Sequence, residues 1–503
     1  GYHDYLFLEN MEAQLKDHLH LWEKVDDLEI IPGDRIEPTL SRTTRRVPCL
    51  LKPGNRESLI QVVAIARENR IPFYPISRGK NWGYGAHLPV KDGCVIVSLE
   101  KFRHIGPCDP ESGKVFVEAG VSQMDLYNYL EKLHPEFCFN VTAGGSDTSI
   151  IGNCLERGIG YHSSRSHDLH GLEVLTIDGE ILKHDPRLWH PSHPDGIGAG
   201  WESLFFQSNY GIILGGWFNL MPRQEKTVFV SIQNSSLGNL LSDFRKLYRN
   251  QLIRDVTHIA DPGRKKYMVR DLITCKHPKL KQERVDAIVE LVGTDDYQGI
   301  TALHGKASVI RACIREIKKM LAPTSQLQAF TPEKVARISR LSRWVPMPKA
   351  RNMGLFLESV GDLLALSNGY PTNIGFLALK LRGDNPNFAE EIAVYLNATL
   401  PPGENSHNEL KNLLTDSGYK YSITFIVNEQ QAVSAIITLH FEVEKAAEVQ
   451  EALKTLTLRL IELGFPPYRA GIDQMEYLGM PPINSKLKDF FDPMHLIAPG
   501  RYT

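Results

Sequence analysis

The residues best suited to chemistry in this chain lie in glycine-rich segments that can present backbone donors to a ligand. The first is Pro75-Ile-Ser-Arg-Gly-Lys-Asn-Trp-Gly-Tyr-Gly85, directly after an expected strand. Gly79, Gly83 and Gly85 let the main chain turn sharply, so that several N–H groups converge on one point and can cradle a pyrophosphate. Ser77, Arg78 and Asn81 add side-chain donors, with Lys80, Trp82 and Tyr84 between them. No helix is expected to follow at once, which sets this loop apart from the strand–turn–helix of a Rossmann domain. The second segment is Thr142-Ala-Gly-Gly-Ser-Asp-Thr-Ser-Ile-Ile-Gly-Asn-Cys-Leu-Glu-Arg-Gly-Ile-Gly-Tyr161, whose small residues admit a flat ligand close to the backbone. The third is Phe205-Phe-Gln-Ser-Asn-Tyr-Gly-Ile-Ile213.

Other chemistries lack their residues. No Gly-x-x-x-x-Gly-Lys-Ser/Thr loop for nucleoside triphosphates and no Gly-x-Ser-x-Gly nucleophile elbow occurs. Eighteen histidines are present, but none forms a His-x-x-x-His pair with a helical carboxylate, so no zinc site is expected. Gly196-Ile-Gly-Ala-Gly200 has no strand before it and reads as a loop. Seven scattered cysteines, with no Cys-x-x-Cys, argue against a disulfide framework or an iron–sulfur cluster.

The elements that must hold these segments are readable from periodicity. Between about 45 and 225, a helix at Glu57 to Arg70, strands at Ile71 to Ile76, Gly93 to Leu99 and Lys114 to Glu118, and a helix at Val121 to Leu133 make a glycine-punctuated α+β block. Glu173 to Thr176 and Glu180 to Leu182 predict a hairpin turning on Asp178-Gly179. From 226 the chain repeats strand–helix units: Thr227 to Ile232 with Leu237 to Arg249, then Gly299 to His304 with Ser308 to Leu321. Strands at Gly375 to Leu381 and Val433 to Glu442 follow, the latter leading into a helix at Val443 to Leu463. One sheet with helices on one face, a ferredoxin-like layer, is expected. Arg382 to Ser406, with Pro386, Pro401 and Pro402, reads as a surface excursion. The expected division is 1–225 as one domain, with 465–503 folding back onto it, and 226–464 as a second.

Length and composition fit this plan. The 503 residues, 42% apolar and 23% charged, suffice for two or three domains with substantial cores. A formal net charge of −2 offers no basic field for nucleic acid or an acidic membrane face. No apolar run approaches the ~20 residues of a membrane helix. The first twenty residues contain Asp4, Glu9, Glu12 and Asp17 and have no secretory leader pattern, so a cytoplasmic protein is expected.

In order and spacing the three segments resemble the FAD-binding landmarks of the vanillyl-alcohol oxidase and p-cresol methylhydroxylase family. The close Asp492-Pro-Met-His-Leu-Ile-Ala-Pro-Gly-Arg501 is similar to the C-terminus of the same proteins. The likeness is strong over 45–225 and 465–501 and faint between them. It implies an α+β, two-domain FAD-binding fold with a ferredoxin-like cap, non-nucleic-acid small-molecule chemistry and a homodimer or higher oligomer. By the resemblance, Ser77 to Gly85 hold the FAD pyrophosphate. Gly144, Gly145, Ser146, Ser149, Gly152, Asn153 and Gly158 line the flavin and ribityl region, with Gly211, Ile212 and Arg501 nearby.

The resemblance also assigns the substrate side. In the phenol-oxidising branch two tyrosines and an arginine clamp the phenolic oxygen, corresponding here to Tyr84, Tyr468 and Arg469. Two hydroxyl donors and a fixed cation favour phenolate, which assists loss of hydride from the para-benzylic carbon. Two departures matter. Ser166 stands where the family places an acid before His167, with Asp168 as a displaced substitute, and Asn373, Ile374 and Gly375 follow Pro371-Thr372 where a second carboxylate belongs. Tyr395 lies where some relatives tether the flavin covalently, and a structural tyrosine there is the alternative. The expected activity is removal of a hydride from a para-substituted phenol, with oxygen or an electron carrier such as a cytochrome as acceptor. Oxidation of a non-phenolic alcohol, amine or natural-product intermediate, and ligand binding without turnover, are the alternatives.

Overall fold

Asn55 opens the first long helix, Arg56–Glu68, by accepting the Ser58 N–H while Ser58 reaches back to the Asn55 N–H. Leu59, Val62, Val63 and Ala66 then form its buried stripe. The computed structural model describes residues 19–39, 42–293, 295–375, 391–401, 405–428 and 433–503. Within these, the helix packs on a four-stranded sheet of order β1-β2-β4-β3, made of β1 (Leu28–Pro32), β2 (Cys49–Pro53), β3 (Phe73–Ile76) and β4 (Val95–Ser98). β2 and β3 both run parallel to β4, and all four residues of β4 are buried, as a central parallel strand requires.

A five-stranded antiparallel sheet of order β5-β6-β10-β8-β9 lies beside it. It contains β5 (Ile105–Asp109), β6 (Lys114–Glu118), β8 (Leu169–Leu175), β9 (Ile181–Leu182) and β10 (Ile212–Asn219). The β8–β9 pair turns where Asp178-Gly179 predicts it, with Gly179 at φ 84°. A short ribbon pairs β7 (Phe137–Cys138) with β11 (Met221–Pro222). One hydrophobic core joins these sheets and takes in Ala470, Ile472, Met475, Ile497 and Tyr502 from the chain's end. Lys488 is buried and donates to the Asn209 and Ile497 carbonyls, both at 2.7 Å, and to Asp492 at 2.6 Å, so the closing helix Pro482–Phe491 is tied to the third glycine-rich segment.

The second core lies under a seven-stranded antiparallel sheet of order β15-β12-β14-β13-β17-β18-β16. Its strands are β12 (Lys226–Asn234), β13 (Thr257–Ala260), β14 (Tyr297–Gly305), β15 (Gln326–Phe330), β16 (Glu391–Leu400), β17 (Lys420–Val427) and β18 (Val433–Glu442). Val228, Val230 and Ile232 of β12 enter the core shared with the helices Leu237–Arg249, Ala307–Met320, Ser406–Asp416 and Ala446–Glu462. Phe229, between them in sequence, points to the other face, as the period of two demands. The helices of this core cover one face; on the other, Phe229 and Ala302 pack with Val335 and Leu364, and His258, Ile300 and Tyr395 face a cavity.

The expected surface excursion is corrected here. Glu391–Leu400 is a strand paired with β18 through ten registered residues, seven of them buried. Pro401 follows its end at Leu400. The strand expected at Gly375 to Leu381 falls outside the described residues from 376 onward. Five helices unforeseen in the strand–helix repeat, Pro262–Lys276, Gln282–Val292, Pro332–Ser342, Pro348–Ser359 and Gly361–Ser367, add a second layer. Three of them begin with proline, whose missing N–H costs nothing at the first helical position.

Candidate active site

Between the open face of the seven-stranded sheet and the glycine-rich segments lies a cavity of about 440 Å³. Its first wall is the Ser77–Gly85 loop. Gly79 sits at φ 67°, and a Cβ there would come within 2.8 Å of His87 Cβ, so a side chain at this turn is excluded on two grounds. Among the described residues, the backbone N–H groups of Gly79, Lys80 and Asn81 have no protein acceptor. They form a nest open to an anion. Arg78 faces away from it and pairs with Asp147, while its guanidinium also donates to the Gly120 carbonyl at 3.0 Å. Arg78 therefore braces the loop from behind. Lys80 lies 5.2 Å above the Trp82 ring and 3.6 Å from Asp147.

The second segment forms the adjoining wall. Ser149 caps the short helix Ile150–Leu155 by accepting the Gly152 N–H at 3.0 Å. A Cβ on Gly152 would meet Ser77 Oγ at 2.5 Å, so this glycine lets the two segments touch. Gly144, Asn153 and Gly158 also line the cavity, and the buried Asn153 Oδ1 has no hydrogen-bond partner. An orphaned acceptor facing a glycine cradle suits a polar cofactor edge. Gly145, Ser146 and Gly211 stand behind this wall, and Ile212 is buried in β10. Arg501 pairs with Glu156 at the same end, and Tyr502 donates to Glu156 at 3.2 Å.

At the other end stand the residues expected to clamp a phenol. The Arg469 guanidinium lies over the Tyr84 ring at 4.3 Å and donates to Asn81. Its Nε is buried without a partner. Tyr468 and Tyr395 join the group: the Tyr84 and Tyr395 rings are 5.6 Å apart. Burial, then the neighbouring Tyr84, pushes the Tyr468 phenol well up, and burial pushes Tyr395 up to about 12. Both are neutral donors at neutral pH. Opposite them Tyr161 stacks on His258 at 4.6 Å, and burial lowers His258 to about 4, keeping that ring neutral too.

Two residues missed in the sequence position these groups. Asn397 of β16 accepts the Tyr468 N–H and donates to the Arg469 carbonyl, both at 2.9 Å. Asp255 accepts from His162 Nδ1 at 3.0 Å and from His304 Nε2 at 2.9 Å, bridging the segment after Tyr161 to β14. Burial works against a charged His162, but Asp255 outweighs it and raises that pKa, while His162 and His304 hold the Asp255 carboxyl low against its own burial.

Ser166 and Asp168 are not brought to the cavity. They sit on the turn Arg165–Asp168, where Ser166 meets Ser164 at 3.1 Å and half-buried Asp168 accepts from Asn140 at 2.8 Å. The carboxylates lining the cavity among the described residues are Glu156 and Asp271. Asn373 accepts the Ser146 N–H at 2.8 Å and does not line the cavity.

Comparison with known proteins agrees with this geometry. Residues 47–185 match the family described as FAD binding domain. The chain is an FAD-binding enzyme similar to p-cresol methylhydroxylase. The flavoprotein subunit of 4-cresol dehydrogenase from Pseudomonas putida is 28% identical over 207 residues, 40% of each chain. The 1'-carboxy-chondrochloren decarboxylase of Chondromyces crocatus is 26% identical over 503 residues, 92% of this chain and 91% of that one. The substrate-bound structure of p-cresol methylhydroxylase superposes with a TM-score of 0.77 at 19% identity, over 97% of this chain and 96% of that one. FAD is the cofactor, and the glycine cradle and orphaned Asn153 fit it. No helix of the described residues is long and apolar enough to cross a membrane.

Proposed function

We propose that the enzyme oxidises a para-substituted phenol at its benzylic carbon. The observation that carries this reading is the Arg469 guanidinium held over Tyr84, with Tyr468 beside them in the cavity. A phenol oxygen entering this group meets a fixed cation and neutral hydroxyl donors, which lowers its pKa and favours phenolate. Phenolate then pushes electrons through the ring as the benzylic C–H breaks with its electron pair. When bound, FAD accepts that hydride, and oxygen or an electron-carrier protein takes the electrons onward. Asn397 keeps the clamp in register, and the neutral Tyr161–His258 stack adds no charge of its own to the far wall. Tyr395 serves in this reading as a packing partner of Tyr84. Replacing Arg469 by Ala and measuring phenol affinity on the flavin-loaded enzyme tests the reading.

A second reading concerns the fate of the oxidised substrate. A relative matched along nearly its whole length is named a decarboxylase, and Ser166 and Asp168 leave no acid from their turn in the cavity. If the carbon next to the benzylic position bears a carboxylate, hydride loss gives a quinone methide. The C–CO2 bond then breaks, its electron pair forms the new alkene, the ring regains phenolate and CO2 leaves. No general base is needed for that step, because the carboxylate itself is the leaving group.

A further inference from the structure

Among the described residues, five cationic side chains line the cavity, and four of them are occupied. Lys80 faces Asp147, Lys265 donates to the Asp296 carbonyl at 3.0 Å, Arg469 donates to Asn81 and Arg501 pairs with Glu156. The fifth, Arg264, has no hydrogen-bond or ion-pair partner among the described residues. It stands in the first turn of the helix Pro262–Lys276. Its backbone N–H is taken by the Asp261 cap at 2.6 Å, and its side chain is left half-buried in the cavity wall. Arg264, Met268, Asp271 and Leu272 recur at the spacing of one helical face, and all four line the cavity. The side chain therefore faces the ligand space along with its neighbours.

Arg264 lines the same cavity as the clamp tyrosines. Tyr395 packs against Tyr84, under Arg469, and the Arg264 charge acts on both Tyr395 and Tyr161. A ring held at Arg469 would run past Tyr395 and extend its para substituent toward Arg264. A half-buried guanidinium without an anion is costly to keep and is well matched to the fork of a carboxylate. The neighbouring Lys265 is engaged with the Asp296 carbonyl, so one planar monoanion fits better than a phosphate, which asks for further cations.

We propose that Arg264 anchors a carboxylate on the substrate's side chain, so that the substrate class is a para-hydroxyaryl carboxylic acid. The inference rests on the phenol reading for the orientation of the ring, but the anchor is tested separately. The flavin-loaded enzyme is titrated with 3-(4-hydroxyphenyl)propanoate and its primary amide, and with 3-phenylpropanoate and its amide, reading the flavin spectrum and binding heat. Each acid is expected to bind about ten- to a hundredfold more tightly than its amide, the range for a hydrogen bond to a charged group. Arg264→Gln is expected to remove that preference, and Arg264→Lys to restore part of it, with flavin content unchanged in both. Arg469→Ala is expected to weaken both phenols while leaving the acid-to-amide ratio intact. A wild type without acid preference, or a preference that survives Arg264→Gln, overturns the anchor. A preserved preference with no benefit from the ring hydroxyl overturns the phenol reading instead.

Discussion

The Asn397 side chain holds Tyr468 by accepting its backbone N–H at 2.9 Å, from a strand seventy-one positions earlier in the chain. The same amide donates to the Arg469 carbonyl at 2.9 Å and lies 3.4 Å from the Tyr84 hydroxyl. One buried side chain thus fixes the backbone of two clamp residues and touches the third. The clamp is set by the cap sheet as much as by the glycine loop.

Asn397→Ala should therefore loosen the clamp without emptying the flavin site. Two buried backbone groups lose their partner, each worth about 1–3 kcal/mol when left unsatisfied, part of which relaxation recovers. Phenol affinity is expected to fall roughly five- to fiftyfold, with the flavin spectrum retained. Spectral titration with 4-ethylphenol checks this, and unchanged affinity would show that Tyr468 and Arg469 hold their places unaided.

Arg469→Ala removes the cation itself. The contact to a bound phenolate is worth about 1.5–3 kcal/mol, so phenols should bind roughly ten- to a hundredfold more weakly. The substitution also frees Asn81 and uncovers the Tyr84 ring, so Arg469→Lys is the better control for packing. Lysine keeps the charge but loses the planar stack and should fall between wild type and alanine. Equal phenol affinity in all three proteins would eliminate the phenolate role.

How far the sequence disclosed this site depends on where the chemistry is written. The glycine loops are legible because their identities and order are local, Tyr84, Tyr468 and Arg469 only through the family resemblance, and all of them line one cavity. Asn397 was hidden because Pro401 and Pro402 made its segment read as a loop, while the residues that turn it into a strand lie in β18. Arg264 was hidden by Asp261-Pro262-Gly263, which carries turn signals. Here Asp261 is a helix cap and Pro262 the first helical residue. The His162–Asp255–His304 bridge spans separations of 93 and 49 residues, and no motif spacing could reveal it.

That bridge predicts a pH dependence of stability. The folded pKa of His162 lies above its ordinary 6.5, so its charged contact is complete below pH 6.5 and is lost as pH rises through the raised value. The Asp255 carboxyl lies below its ordinary 3.8, so its share is present above pH 3.8 and is lost as pH falls through the lowered value. Between those limits the bridge is at full strength. Replacing His162 by Gln keeps a donor for Asp255 but removes the titration. The wild-type melting temperature should decline more steeply than the variant's between pH 6.5 and 9, by roughly 1–3 °C. Parallel curves would exclude a charged His162.

Asp168 offers a test of how the reaction manages without an acid from its turn. Burial, only partly offset by Asn140 and Arg165, pushes its carboxyl above the ordinary carboxylate value. An acid with a raised folded pKa favours folding at low pH and loses that advantage as pH climbs from 3.8 through the raised value, so at neutral pH its charge costs stability. Asp168→Asn keeps the shape and an oxygen for the Asn140 donor at 2.8 Å while removing the charge. The variant should melt at the same temperature as wild type or higher. A residue that served as the general base would instead slow flavin reduction by about 10²-fold or more when neutralised. Because Asp168 does not line the cavity, reduction in rapid-mixing experiments should change by no more than a few-fold. The electron push is then left to the phenolate held at Arg469. A hundredfold loss of reduction rate in Asp168→Asn, with flavin content and melting temperature intact, would place the base on the turn after Tyr161 and overturn this assignment.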